Sequence, residues 1–180
     1  MRKIFFMLFF IITIFNISAQ NNFMGYEKVT WLSTISTLLR EYPEAFEIPR
    51  DSPGLNLKRN ERAFREVFFG KNTEYMYRTF YFKNNELYKV EVLYNNFAFE
   101  PLLEEILDNY GEPMIRDRWN DDFGGYDITY FYSSWLPSVL MYIEIIFGLH
   151  IKDGGISSNR ENGKIVYVFP RVIYSHPLVN

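Results

Sequence analysis

The sequence predicts an α+β fold, in which an antiparallel sheet of about five or six strands carries two helices on one face. Three patterns predict it. Two strand-like runs flank a short Asn-containing turn, two apolar stripes recur at helical spacing, and further strand-like runs are separated by turn residues. Because a hairpin alone is marginal in water, the helices and further strands are needed to bury its apolar side.

The first pattern is a hairpin between residues 79 and 94. Residues 79–82 and 87–94 are rich in aromatic and β-branched side chains, which favour strands. Asn84 and Asn85 tolerate the left-handed backbone of a tight turn between them. In the second strand, period-two alternation predicts an apolar face and a solvent-exposed face. The apolar face is expected to comprise Tyr88, Val90, Val92 and Tyr94, with Lys89 and Glu91 on the other.

A helix is predicted over residues 101–110. Pro101 suits the first helical position, because its missing N–H would have no partner there. Gly111 provides a left-handed residue at the end, and Pro113 prevents continuation. We expect the apolar stripe to lie across the hairpin. The stripe comprises Leu102, Leu103, Ile106, Leu107 and Tyr110.

The other elements follow from similar patterns. Residues 28–42 repeat apolar side chains at helical spacing and predict a second helix that ends before Pro43. Residues 44–60 indicate an irregular connection, and residues 61–69 fit either a helix or a strand. Strands are expected at 114–119, 126–132, 139–147 and 165–169. A turn is expected at 120–125 and a connection at 133–138. The tail from 170 to 180 is expected to fray or to pack at a sheet edge.

The N-terminus is typical of a secretory signal. Arg2 and Lys3 precede an apolar run over residues 4–15, and residues 17–19 offer a cleavage site before Gln20. An uncleaved anchor is the alternative, but a membrane span needs about 20 apolar residues. We therefore expect a signal peptide at 1–19 and a single α+β domain at 20–180. The mature protein is then periplasmic or extracellular, with no stable membrane span.

The composition argues against several classes of function. Removal of the signal leaves 17 Lys and Arg against 22 Asp and Glu, a net charge of −5. An acidic protein lacks the basic surface that nucleic-acid binding requires. The chain contains no Cys, so it has no disulfide, no lipidated Cys and no thiol nucleophile.

No catalytic motif is evident. The sequence lacks Gly-x-Ser-x-Gly and Ser-x-x-Lys, and its only histidines, His150 and His176, lie in a loop-rich region where a surface role is expected. No His-x-x-x-His pair or Gly-rich turn before a helix indicates a metal or phosphate cofactor. We expect a protein with no catalytic residue, metal or cofactor.

One polar stretch, residues 117–127, is a candidate ligand site. Its carboxylates are groups that calcium prefers, although their spacing matches no defined calcium loop. Carboxylates flanked by aromatic rings also suit carbohydrate binding or glycoside chemistry. A polar hairpin turn without a ligand is the plain alternative. The carbohydrate site would comprise Trp119, Asp121, Asp122 and Tyr126.

The order of these motifs resembles a group of uncharacterised exported bacterial proteins. The resemblance covers residues 75–119, with Phe-x-Asn-Asn-x-Leu-Tyr-x-Val at 82–90, a helix, Tyr-Gly-x-Pro at 110–113 and a strand ending at Trp119. It implies a small envelope domain and supplies no catalytic residues. Two hypotheses stay open. One is a non-catalytic domain that binds a protein or envelope partner through a strand edge or aromatic surface, and the other is a carbohydrate-binding or carbohydrate-active protein.

Overall fold

A computed structural model of the chain describes residues 25–68, 74–123, 126–138, 141–152 and 164–179. These residues form an eight-stranded antiparallel sheet, a separate two-stranded hairpin and two helices. The predicted signal at 1–19 lies outside them. The elements are β1 (Gly25–Tyr26), β2 (Val29–Thr30), α1 (Ile35–Glu41), β3 (Phe46–Glu47), β4 (Glu61–Val67), β5 (Tyr75–Lys83), β6 (Glu86–Tyr94), α2 (Asn96–Tyr110), β7 (Ile115–Phe123), β8 (Tyr126–Ser138), β9 (Met141–Lys152) and β10 (Lys164–Ser175).

The main sheet has the strand order β3-β4-β5-β6-β10-β9-β8-β7. The α+β class and the antiparallel pairing are confirmed, but the sheet has eight strands rather than five or six. Residues 120–123, 133–138 and 170–175 continue strands instead of forming a turn, a connection and a tail. Pro137 and Pro170 lie where the strand register shifts, because a bulge tolerates the missing N–H. The segment 170–175 therefore lies in the middle of the sheet.

The predicted hairpin is confirmed as β5 and β6. Asn84 and Asn85 have φ angles of 52° and 69°, as a tight turn requires. A register shift follows the turn and displaces Tyr88 from the face that carries Val90. Placing those two residues on one face was therefore wrong. Tyr88 instead packs in a small cluster on the opposite face, so neither face of this hairpin is fully exposed to solvent.

Helix α2 ends at Gly111 as predicted, with φ of 70° and its N–H donating to the Leu107 oxygen at 2.8 Å. Its predicted start at Pro101 is wrong. The helix begins at Asn96, because Asn95 provides the cap carbonyl and the fully buried Phe99 anchors the first turn. The predicted stripe does pack against the main core. It lies over β10 rather than across the hairpin.

Helix α1 is shorter than the 28–42 range predicted. Glu27 and Leu32 have positive φ angles of 47° and 65°, which no continuous helix allows, and the preceding residues pair as β1 and β2. Thr34 caps the helix, with its hydroxyl accepting from the Thr37 N–H at 3.4 Å. The helix stops before Pro43, as predicted.

Both helices contribute to one core on one face of the sheet. Side chains of α1 and α2 pack there against the central strands, among them Leu38, Phe99, Ile106, Phe80, Val90, Ile145 and Val172. A second cluster on the opposite face contains Ile48, Ala63, Tyr81 and Tyr88. The ambiguous residues 61–67 form a strand buried on both sides, with Ala63 in the second cluster and Phe64 in the main core. Residues 44–60 are irregular apart from β3, as predicted.

Candidate binding surface

The face of the sheet opposite the helices is only partly covered. At the β4–β6 end, side chains of the 48–57 connection and Val179 lie over it. From β10 to β7 most of its described side chains are partly or fully exposed, although Ile128, Ser134 and Ser175 are buried, and we define this region as the open face. It includes Arg171, Ile173, Tyr142, Glu144, Ile146, Tyr130, Tyr132, Ile115, Asp117, Trp119 and Asp121.

An aromatic stack crosses the outer strands of the open face. The rings of Trp119 and Tyr130 lie nearly parallel, 10° apart with centroids separated by 5.5 Å. Tyr130 pairs with Gly148 of β9, where an added Cβ would lie 3.2 Å from the Tyr130 ring. Gly148 therefore provides the space that the ring occupies. Trp119 remains 44% exposed, so the stack presents a flat aromatic surface to solvent.

Two tyrosines and a carboxylate form a hydrogen-bonded group beside this stack. Tyr132 donates to Glu144 Oε1 at 2.8 Å, and 3.1 Å separates the hydroxyl oxygens of Tyr132 and Tyr142. Burial raises the pKa of Tyr132, and the hydrogen bonds with Tyr142 and Glu144 raise it further. Tyr132 therefore stays protonated and orients the carboxylate. Because a carboxylate accepts several hydrogen bonds, Glu144 retains capacity for a ligand.

A second carboxylate lies further along the same side of the sheet. Glu91 of β6 accepts hydrogen bonds from Tyr81 at 3.2 Å and from Arg171 at 3.4 Å. Burial raises the pKa of Tyr81, and the neighbouring Glu91 charge adds to the effect. Glu91 and Glu144 pair with Ile173 from opposite sides, so their backbones lie about 10 Å apart. The two carboxylates thus serve as acceptors at two separate positions.

Strand β7 forms one edge of the sheet. It pairs with β8, and no described strand pairs with its outer side. The side chains of residues 115–121 are all exposed. Alternation places Arg116 and Arg118 on the helix-bearing side and Asp117, Trp119 and Asp121 on the open face. The edge therefore carries positive charge on one side, and negative charge with an aromatic ring on the other.

The structure describes part of the predicted carbohydrate site. Trp119 and Asp121 lie on the open face and are exposed. Asp122 and Tyr126 lie on the paired strands β7 and β8, but their side chains are not among those that the structure describes. A site formed by all four residues stays a prediction. The acids nevertheless lie on a paired strand, since 120–123 are not a turn.

Sequence reasoning missed Tyr130 and Gly148. The alternating tyrosines at 130 and 132 were a signal for a face rich in hydroxyls, but nothing local links them to Gly148. His176 also departs from its expected surface position. It is buried, with its ring at the edge of Trp31, and its backbone N–H donates to the Tyr88 oxygen.

The described residues contain no group of three Asp, Glu or His side chains placed to hold a metal ion. Among the two described helices, neither is long and apolar enough to cross a membrane. No protein-family model matches the chain, and no curated protein or solved structure is significantly similar to it.

Proposed function

We propose that the chain is an exported, non-catalytic domain that binds an extended segment of a protein partner in the cell envelope. The β7 edge carries this proposal, because no described strand pairs with its outer N–H and C=O groups. Such an edge is a template for an added strand. The predicted signal at 1–19 supports export, and the lack of catalytic motifs in the sequence supports a binding role.

The charges of β7 specify the chemistry of the partner. In an antiparallel strand pair, side chains on one face are neighbours. A second copy of β7 would bring Arg116 and Arg118 beside arginines, and Asp117 and Asp121 beside aspartates, which is unfavourable. A complementary segment instead alternates acidic residues with basic or aromatic ones. The acids face the arginines, and the basic or aromatic residues face Asp117 and Trp119.

Two synthetic nine-residue peptides, equal in length to β7, test this proposal. The first alternates Glu with Lys or Tyr, and the second contains the same residues in an order that breaks the alternation. Fluorescence anisotropy at low ionic strength should show binding of the first peptide and little binding of the second. Equal affinities for both peptides would contradict the proposal, because the alternation would then carry no information.

Charge reversal at the edge provides the matched control. Arg118→Glu should weaken binding of the alternating peptide, since it places a carboxylate beside the peptide's acids. Arg40→Glu makes the same change on an exposed residue of α1 and should leave binding unchanged. A loss of equal size in both variants would show attraction to overall charge rather than strand pairing.

A carbohydrate ligand is the second candidate, favoured by the exposed Trp119–Tyr130 stack. Its flat surface suits a sugar ring, and Asp121 and Glu144 lie on the same face as acceptors for hydroxyl groups. Titration with soluble peptidoglycan fragments and neutral oligosaccharides, followed by tryptophan fluorescence, tests it. Trp119→Ala should abolish the response and Arg118→Glu should preserve it. A saturating response that survives Trp119→Ala would reject this site.

A further inference from the structure

A cavity of about 260 Å³ lies on the β4–β6 side of the sheet, away from β7. Three lysines line it: Lys58 from the connection before β4, Lys83 at the end of β5, and Lys89 from β6. Glu61 and Tyr88 form the buried part of its wall. In a chain of net charge −3, three lysines in the lining of one cavity are a local concentration of positive charge.

The lysines retain donors for a ligand. Lys83 Nζ donates to the Val179 oxygen at 2.7 Å, which uses one of its three N–H groups. Lys89 Nζ lies 3.8 Å from the centroid of the Tyr81 ring, a cation–π contact that uses none of its three N–H donors in a hydrogen bond to that ring. Burial lowers the pKa of Lys89, although Glu91, Glu61 and Glu144 oppose the shift. A bound anion would therefore stabilise this half-buried ammonium group.

Glu61 is a positioning residue of this cavity. It is only 4% exposed, and its Oε2 accepts the Lys58 backbone N–H at 2.8 Å. Burial raises the pKa of Tyr88 to about 12, with the charge of Glu61 and a hydrogen bond to it adding to the effect. Glu61 thus fixes the connection at Lys58 and the Tyr88 hydroxyl. Its single negative charge leaves the three lysines with an excess of positive charge in the lining.

We propose that this cavity binds a phosphate group through Lys58, Lys83 and Lys89. A phosphate monoester carries a charge of roughly −1.5 to −2 at pH 7 and three acceptor oxygens, which complement the excess charge and the N–H donors of the three lysines. A monocarboxylate supplies one charge and two oxygens and matches less well. The site is separate from the β7 edge and does not depend on the peptide-binding proposal.

Inorganic phosphate is the first probe. Phosphate should raise the melting temperature and bind in calorimetry, relative to sodium chloride of equal ionic strength. The double variant Lys58→Met, Lys89→Met should weaken binding by about tenfold or more, since it removes two charge-assisted interactions. Arg59→Gln removes a neighbouring charge outside the cavity lining and should change the affinity less than about twofold. Equal stabilisation by chloride, or an equal loss in Arg59→Gln, would overturn the proposal.

A measurement on the unsubstituted protein tests the same site without requiring that a variant folds. Acylation of individual lysines, read by mass spectrometry, should slow at positions 58, 83 and 89 when phosphate is added and remain unchanged at Lys28. Uniform slowing would contradict a defined site. Vesicles that contain phosphatidic acid, whose headgroup is a phosphate monoester, are compared with vesicles of phosphatidylcholine to identify the source of the phosphate. Binding that Lys58→Met, Lys89→Met abolishes assigns a lipid headgroup, and binding of inorganic phosphate alone assigns a soluble ester.

Discussion

The two ends of the main sheet are built differently. At one end, the edge strand β3 has two residues, and its neighbour β4 is buried on both faces through Ala63 and Phe64. At the other end, β7 has nine residues, and the described side chains 115–121 are all exposed. A short edge offers little template for pairing, whereas a long one offers a complete row of backbone groups. The β3 end thus has a two-residue edge strand, and the β7 end has a nine-residue edge strand with no described partner on its outer side.

Two arginines in opposite halves of the sheet differ in burial. Arg78, with 9% of its side chain exposed, donates to Glu66 at 2.7 Å and to Glu27 at 2.6 Å. Five aromatic rings surround its guanidinium, the nearest being Tyr42 at 4.5 Å. Near the β7 end, Arg116 pairs with Glu112, and both side chains are mostly exposed. Arg78 therefore contributes to stability through buried ion pairs, whereas Arg116 of β7 remains accessible to solvent.

The largest difference in unfolding free energy is expected between Arg78→Met and Arg116→Met, which make the same change in two halves of the sheet. Arg78→Met should lower the free energy of unfolding by about 3–5 kcal/mol, because it leaves two partly buried carboxylates without their cation. Arg116→Met should cost less than about 1 kcal/mol, since its ion pair is solvent-exposed. Urea unfolding at pH 7 measures both. Similar losses in the two variants would contradict the expected difference between the buried and the exposed ion pairs.

A smaller effect is expected at Gly148. An added Cβ would lie 2.6 Å from Ile128 Cγ2 and close to the Tyr130 ring, so Gly148→Ala should cost about 1–3 kcal/mol. It should also reduce the near-ultraviolet circular dichroism of the Trp119–Tyr130 stack. In a Trp119→Ala background, the same substitution should leave that spectral region unchanged. A spectral change that persists without Trp119 would show that Gly148 does not act through the stack.

Alkaline pH should affect stability through Tyr88 of β6. Its pKa is raised to about 12 in the fold, against about 10 for an unperturbed tyrosine. The folded state therefore holds the proton more tightly, and this contribution to stability is complete below pH 10 and is lost between about pH 10 and 12. Tyr88→Phe should flatten the fall in unfolding free energy over that range. An unchanged slope would contradict the assignment.

The smallest effect is expected for the ion pair between Arg62 of β4 and Glu47 of β3. The hydrogen bond from Arg62 lowers the pKa of Glu47, while burial opposes the shift. Stability from this pair is therefore present above the unfolded carboxyl pKa and is lost as the pH falls. Arg62→Met should cost less than about 1 kcal/mol at pH 7, since both groups are about half exposed, and nothing near pH 2. High salt should also reduce the difference.

The sequence was sufficient where structure depends on neighbouring residues. The turn at Asn84–Asn85 and the helix end at Gly111 follow from local backbone chemistry and were predicted correctly. The central position of β10 depends on pairing with strands far along the chain, so no local pattern revealed it. The sequence also identified Trp119 as a candidate. It did not indicate Gly148, because Gly148 and Trp119 come to lie beside the same Tyr130 ring only through the register of three strands.

Hydrogen exchange, with and without the alternating peptide, reports on strand pairing at the β7 edge. The free protein should exchange faster at the outward N–H groups of β7 than at the central strands β6 and β10. Saturating peptide should slow exchange at those β7 groups and leave the lysine-lined cavity unaffected. Protection that is confined to other strands, or absent altogether while the peptide is bound, would contradict an open edge that receives a partner strand.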